Sequence, residues 1–194
     1  MGKTKNLDVA GCNVFIGIDQ SMNSTGYYIN YLFNGERKVD KGLIKPGSRR
    51  EGSRLKYIFD KLTKLLSRFN GADVLVCMEG YAYDYRKGRV FELGEVGGVV
   101  KLCCQILGAK VITVPPTELK KFITGRGSSS KKQMMTVLRE RQDDIADAKG
   151  LSIIAEELVV RKSTLRHQLE VVSNCLKTGP KKQIPTRLNK LARL

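Results

Sequence analysis

The spacing of apolar positions changes several times along the chain, and each change marks an element. Val14-Phe15-Ile16-Gly17-Ile18 is an unbroken apolar run, as in a strand buried on both faces, and it stops on Asp19. The polar stretch from Gln20 to Gly26 has turn composition. Residues 27–33 are rich in β-formers, Asn34-Gly35 is a hairpin signal, and a third strand is predicted over 38–44. The spacing of Leu55, Ile58, Phe59, Leu62, Leu65, Leu66 and Phe69 predicts a helix over 53–69, closed by Asn70-Gly71. A second apolar strand, Val74 to Met78, stops on Glu79. A helix over 90–107 follows, whose Gly94, Gly97 and Gly98 would permit close packing. A short strand over 110–114 ends at Pro115-Pro116. A short helix is predicted over 117–123 and a loop over 125–130. Helices over 131–141, with Ser129 or Ser130 as N-cap, and over 143–160 complete the pattern.

Three meandering strands followed by alternating helices and strands describe an α/β fold: a five-stranded mixed sheet with helices on its faces. The 194 residues suffice for one substantial core. The regular pattern supports one domain over 1–160. Residues 161–194 form a basic C-terminal extension, broken by Gly179-Pro180 and Pro185.

Composition narrows the class. No apolar run approaches the roughly 20 residues of a membrane span, and residues 1–8 lack the apolar centre of a secretory signal, so an intracellular protein is expected. The five cysteines include no CxxC pair and read as reduced structural thiols; the single histidine, His167, has no cysteine at zinc-ligand spacing. Charge changes the picture most. Lys plus Arg is 35 against 19 Asp plus Glu, a net +16. Such an excess calls for a polyanionic partner, nucleic acid first and an acidic membrane surface second. Half of it lies in residues 161–194, with nine Lys or Arg and one Glu.

Against that background four acids stand out. Asp19 and Glu79 end two apolar strands, where open α/β sheets place functional groups. Asp144 and Asp147 are three apart at the start of a helix, and Ala148, Leu151, Ala155 and Leu158 continue their face inward. Carboxylates turned inward need a positive partner, and a divalent cation with oxygen ligands is the natural one. Taken singly, each acid also suits a turn or a helix N-terminus, and Asp143 is a close neighbour of the same kind.

The ordered set resembles the RuvC-type Holliday junction resolvases of the ribonuclease-H-like superfamily. Ile16-Gly17-Ile18-Asp19 with its Ser/Thr-Gly turn is similar to that family's opening motif, Met78-Glu79 to its second acid, and Asp144-Ile145-Ala146-Asp147-Ala148 to its closing D-x-x-D-A helix. The likeness runs over about residues 12–160. It implies a three-layer α/β/α fold, Mg²⁺ (with Mn²⁺ as a substitute) held by Asp19, Glu79, Asp144 and Asp147, a homodimer, and branched DNA as substrate. Pro116-Thr117-Glu118-Leu119-Lys120, then Gly125, Gly127 and Lys131, resembles the family's T-x-x-K segment, loop and second lysine. This assigns Lys120 and Lys131 to the scissile phosphate, where an ammonium stabilises growing negative charge. Lys121 and Lys132 are their register neighbours. Tyr81, Tyr83 and Tyr85, interleaved with Arg86, Lys87 and Arg89, suit stacking on a junction base and phosphate contact, as Arg126 does in the loop. The helix over 90–107 is the implied dimer face.

There are departures. Gln20-Ser21-Met22-Asn23 stands where bacterial members often carry Pro-Gly, and the basic tail has no counterpart, so the chain looks more like the phage-encoded branch. The reading that follows is hydrolysis by paired nicks across a two-fold junction. A nuclease for RNA–DNA hybrid and a non-catalytic DNA-binding relative are the alternatives. A sugar-kinase or actin relative would need a second such domain and a late Gly-rich adenosine motif, which the sequence lacks.

Overall fold

The computed structural model describes residues 9–80 and 90–177. Five strands form one sheet: β1 (Val14–Asp19), β2 (Thr25–Phe33), β3 (Glu36–Ile44), β4 (Val74–Glu79) and β5 (Lys110–Val114), in the order β3-β2-β1-β4-β5. The meander β1–β3 is antiparallel, whereas β4 and β5 run parallel to β1. Asn34 and Gly35 both take positive φ, 52° and 79°, the type of turn the hairpin needs. The sheet is therefore mixed, as the sequence predicts.

Alternation along the strands sends side chains to two cores. Val14, Ile16 and Ile18 join Val76 and Met78 beneath α1 (Glu51–Leu66) and α2 (Val90–Ile106). Phe15, Leu75 and Cys77 join the other core, under α3 (Pro116–Thr124), α4 (Lys131–Leu138), α5 (Asp143–Val160) and α6 (Arg166–Lys177). Helices thus cover both faces, giving three layers.

Four details differ from the sequence-based expectation. The first helix stops at Leu66, and Ser67–Phe69 is a separate 3-10 turn. The helix expected over 131–141 stops at Leu138, because Arg139 turns left-handed at φ 54° and Lys149 Nζ caps the Leu138 carbonyl at 2.8 Å. Among the described residues, Gly94 and Gly98 meet nothing within 4 Å of where a Cβ would stand, so they serve no close packing there. Finally, residues 166–177 are helical and sit against the core: Val171, Val172 and Cys175 are buried among Phe122, Leu151 and Leu158. The sequence pattern is weak there because that helix buries one narrow face and leaves the rest polar.

No described helix is long and apolar enough to cross a membrane.

Candidate active site

Asp19 ends β1 and Glu79 ends β4. The strands are parallel neighbours, with Ile18 opposite Met78, so the two carboxyls emerge side by side. They lie close enough for the charge of Glu79 to act on Asp19. Across the sheet's other ladder Asp19 is paired with Gly26 of β2. Gly26 has a specific use: a Cβ there would overlap the backbone carbonyl of Asp144. A Cβ on Gly17 would likewise overlap the carbonyl of Ala148 and come within 2.5 Å of Ser152 N. Two strand positions without side chains thus let α5 lie directly on the sheet. Ser152 Oγ fixes it there by donating to the Phe15 carbonyl at 3.0 Å. This seating brings the first turns of α5, with Asp144 and Asp147, over Asp19.

The electrostatics follow from that geometry. Asp19 is only 8% exposed. Burial, and then the charges of Glu79, Asp147 and Asp144, push its carboxyl well above the usual carboxylate range. Burial and Asp147 also raise Glu79, against the opposing pull of Lys131 and Lys120. Asp147 is raised by burial first, and the same two lysines oppose the rise. Lys120 and Lys131 are therefore the cations the acids feel, although they come from two different helices, α3 and α4.

The neck between those helices is tied. Thr124 Oγ1 donates to the Lys120 carbonyl at 2.7 Å and lies 2.6 Å from Ser129 Oγ. Ser130, not Ser129, caps α4, in a reciprocal capping box with Gln133. Lys131 Nζ meets Asp143 Oδ2 at 2.6 Å, which raises the lysine and lowers the acid. Asp143 thus sits on the lysine, while Asp144 acts on Asp19.

The remaining candidates separate. Lys121 turns away from the acids to pair with Glu170 of α6 at 2.8 Å. Arg126 and Lys132 are exposed, in the loop and the first turn of α4. Tyr81, Tyr83, Tyr85, Arg86, Lys87 and Arg89 lie outside the described residues. One residue that sequence reasoning passes over is Gln20. Its amide is buried, Nε2 donates to the backbone carbonyl of Glu79, and Oε1 has no partner among the described residues. It latches the ends of β1 and β4 together. A polar residue directly after a strand-end acid is the available signal, but it also fits an ordinary turn.

The donor set suits a divalent ion. Among the described residues no three acidic, Cys or His side chains gather tightly enough to hold an ion as they stand. Asp19, Glu79 and Asp147 are instead all shifted up, first by burial and then by the charge of neighbouring carboxylates. A doubly charged, oxygen-seeking cation is the natural counter-ion for such a set, since it would offset both the buried charge and the repulsion.

The sequence model of the family described as crossover junction endodeoxyribonuclease RuvC matches residues 15–155. A protein of that description from Dictyoglomus turgidum is 31% identical over 150 residues, covering 72% of this chain and 94% of its own length. Another, from Pseudothermotoga lettingae, is 28% identical over 163 residues, covering 79% and 98%. In fold, the chain is similar to Thermus thermophilus RuvC (TM-score 0.60, 20% identity, 72% of this chain and 91% of that one). It is also similar to the same protein solved with a Holliday junction substrate (TM-score 0.62, 20% identity, 73% and 91%). All four acids and both site lysines fall inside the matched residues.

Proposed function

This chain belongs to the RuvC family of crossover junction endodeoxyribonucleases, and from that premise we propose that it resolves four-way DNA junctions by hydrolysing paired phosphodiesters. One observation carries the reading: two strand-end acids and two helix-start acids meet at one end of the sheet, with Lys120 and Lys131 acting on them.

Asp19, Glu79, Asp144 and Asp147 are the residues that would hold Mg²⁺, or Mn²⁺ in its place. Bound there, the metal would lower the pKa of water and offset charge on the departing oxygen. The chain's own groups do the rest. Burial of Asp19 keeps bulk water from screening the acids. Lys120 and Lys131 neutralise the charge that grows on the phosphate. Asp143 orients Lys131 through their ion pair. Gln20 holds the β4 end, and with it Glu79, against β1.

A junction has near two-fold symmetry, and two nicks need two sites. The exposed face of α2 suits a second copy of the chain. Phe91 is 87% exposed, Leu102 and Ile106 are over half exposed, and all three share one stripe with Gly98. We place the activity inside the cell, in the cytoplasm of a bacterium or of a phage-infected cell.

The test is direct. With Mg²⁺ the full chain is expected to nick a synthetic four-way junction much faster than a linear duplex or an RNA–DNA hybrid of the same sequence. Equal cutting of duplex and junction would overturn junction selectivity, preference for the hybrid would favour a ribonuclease, and no cutting would overturn the enzyme reading.

A further inference from the structure

The turn between α4 and α5, residues 139–142, leads directly into the acids of α5, and its backbone is held at both ends. The Arg139 amide donates to the Thr136 carbonyl at 3.2 Å and the Glu140 amide to the Met135 carbonyl at 3.0 Å. On the far side the Ala146 amide donates to the Gln142 carbonyl at 2.9 Å. The middle is held through Glu140, whose side chain is only 8% exposed. Lys41 Nζ of β3 donates to it at 2.8 Å and Lys149 Nζ of α5 at 3.1 Å.

With Glu140 turned inward, Arg139 and Arg141 on either side of it are exposed. Their charges are not compensated locally. Glu140 is taken by two lysines, and Asp143, the first residue of α5, is taken by Lys131. Among the described residues neither guanidinium forms an ion pair. Arg141 and Arg139 precede Asp143 by two and four residues, so their Cα atoms lie within roughly 7 and 14 Å of it. Two uncompensated arginines thus stand at the rim of the acid site, on a backbone that needs no ordering to bind. The fork of a guanidinium matches two oxygens of a phosphate.

We infer that Arg139 and Arg141 hold phosphates flanking the scissile one, on the DNA strand that enters the acid site. This rests on the reading of the chain as a junction nuclease. Such contacts carry no sequence information; they set the register of the strand over the acids. They also release counterions, so their signature is a salt dependence set by the number of phosphates neutralised.

Two full-length variants of equal net charge isolate this role. One is R139Q/R141Q. The other is R161Q/K162Q, two exposed residues just past the opposite end of α5, about 27 Å away along its 18 residues. Arg139 and Arg161 each close a helix in the left-handed conformation, at φ 54° and 53°, so the two variants strain the backbone alike. Junction binding is measured by fluorescence anisotropy in EDTA across a salt series. The native chain and R161Q/K162Q are expected to share one slope of log K against log salt. The slope of R139Q/R141Q is expected to be shallower by about 2, since each phosphate left without its cation removes roughly 0.9. R139K/R141K restores the charge and is expected to restore the slope; a slope that stayed shallow would trace the effect to a disturbed turn and overturn the assignment. Equal slopes for R139Q/R141Q and R161Q/K162Q would also overturn it. A junction with neutral methylphosphonates on either side of the cut locates the contact. It is expected to weaken binding of the native chain and of R161Q/K162Q, and to leave R139Q/R141Q little changed. Equal weakening of all three would move the arginines away from the cut. If the native chain neither binds nor cuts a junction, it is the reading of function that fails. If it does both while the variants' slopes coincide, only the role of the two arginines fails.

Discussion

The carbonyl of Asp144 occupies the space that a side chain on Gly26 would fill. Gly26 is the ladder partner of Asp19, so one missing methyl group sets how closely the α5 acids approach the β1 acid. Gly26→Ala must push the helix off the sheet, because the obstacle is backbone. Overpacking of this kind costs about 1–3 kcal/mol. The variant is expected to melt lower and to cut junctions far more slowly, with cleavage lost out of proportion to the fraction unfolded. A variant that melts lower but cuts at the native rate would show that the seating of α5 does not govern the site.

Asp143 and Asp144 are adjacent, yet they differ in what they touch. Asp143 is held by Lys131, and Asp144 acts on Asp19. Asp144→Asn is expected to bind a junction and leave it intact. Asp143→Asn is expected to keep cutting, with a reduction of no more than about tenfold from a less well held Lys131. The reverse outcome in a single-turnover gel assay would exchange their roles.

Asp19 holds its proton to a higher pH in the folded chain than in the unfolded one. The native state then binds more protons, so stability falls as pH rises from the ordinary carboxylate range toward the raised folded value. Asn at this position removes that penalty. Without metal, Asp19→Asn is expected to melt a few degrees above the native chain near pH 7, at about 2–4 °C per kcal/mol. The gap is expected to close below about pH 4. Added Mg²⁺ is expected to stabilise the native chain and not the variant. Identical melting curves across pH would argue that Asp19 carries no buried charge cost.

Lys120 and Lys131 face the same acids from separate helices. Replacing either by Met is expected to slow cleavage by roughly 10²–10³-fold, the usual cost of losing one group aimed at developing charge. Junction affinity is expected to change by much less. If affinity and rate fell together, the lysines would be binding groups only.

The exposed stripe of α2 makes a separate prediction. Leu102→Glu is expected to shift sedimentation from dimer to monomer, because a charge would be buried against a copy of itself. The nicks on opposing strands should then lose their coupling. A native chain that sediments as a monomer at working concentrations would remove α2 from this role.

Much of this was legible in the residues alone. Apolar runs that stop on Asp19 and Glu79 specify strands that present those acids at one end of the sheet, because strand burial and strand direction follow directly from local pattern. The 3.6-residue spacing that continues from Asp144 and Asp147 into Ala148, Leu151 and Leu158 specifies an inward face. Other features depend on contacts between distant segments, which no local pattern encodes. Gly17 and Gly26 read as ordinary small strand residues until α5 is laid on them. Gln20 reads as a turn residue until β4 arrives beside it. Asp143 and Asp144 are equivalent in spacing, and only the position of Lys131, brought by another helix, separates them.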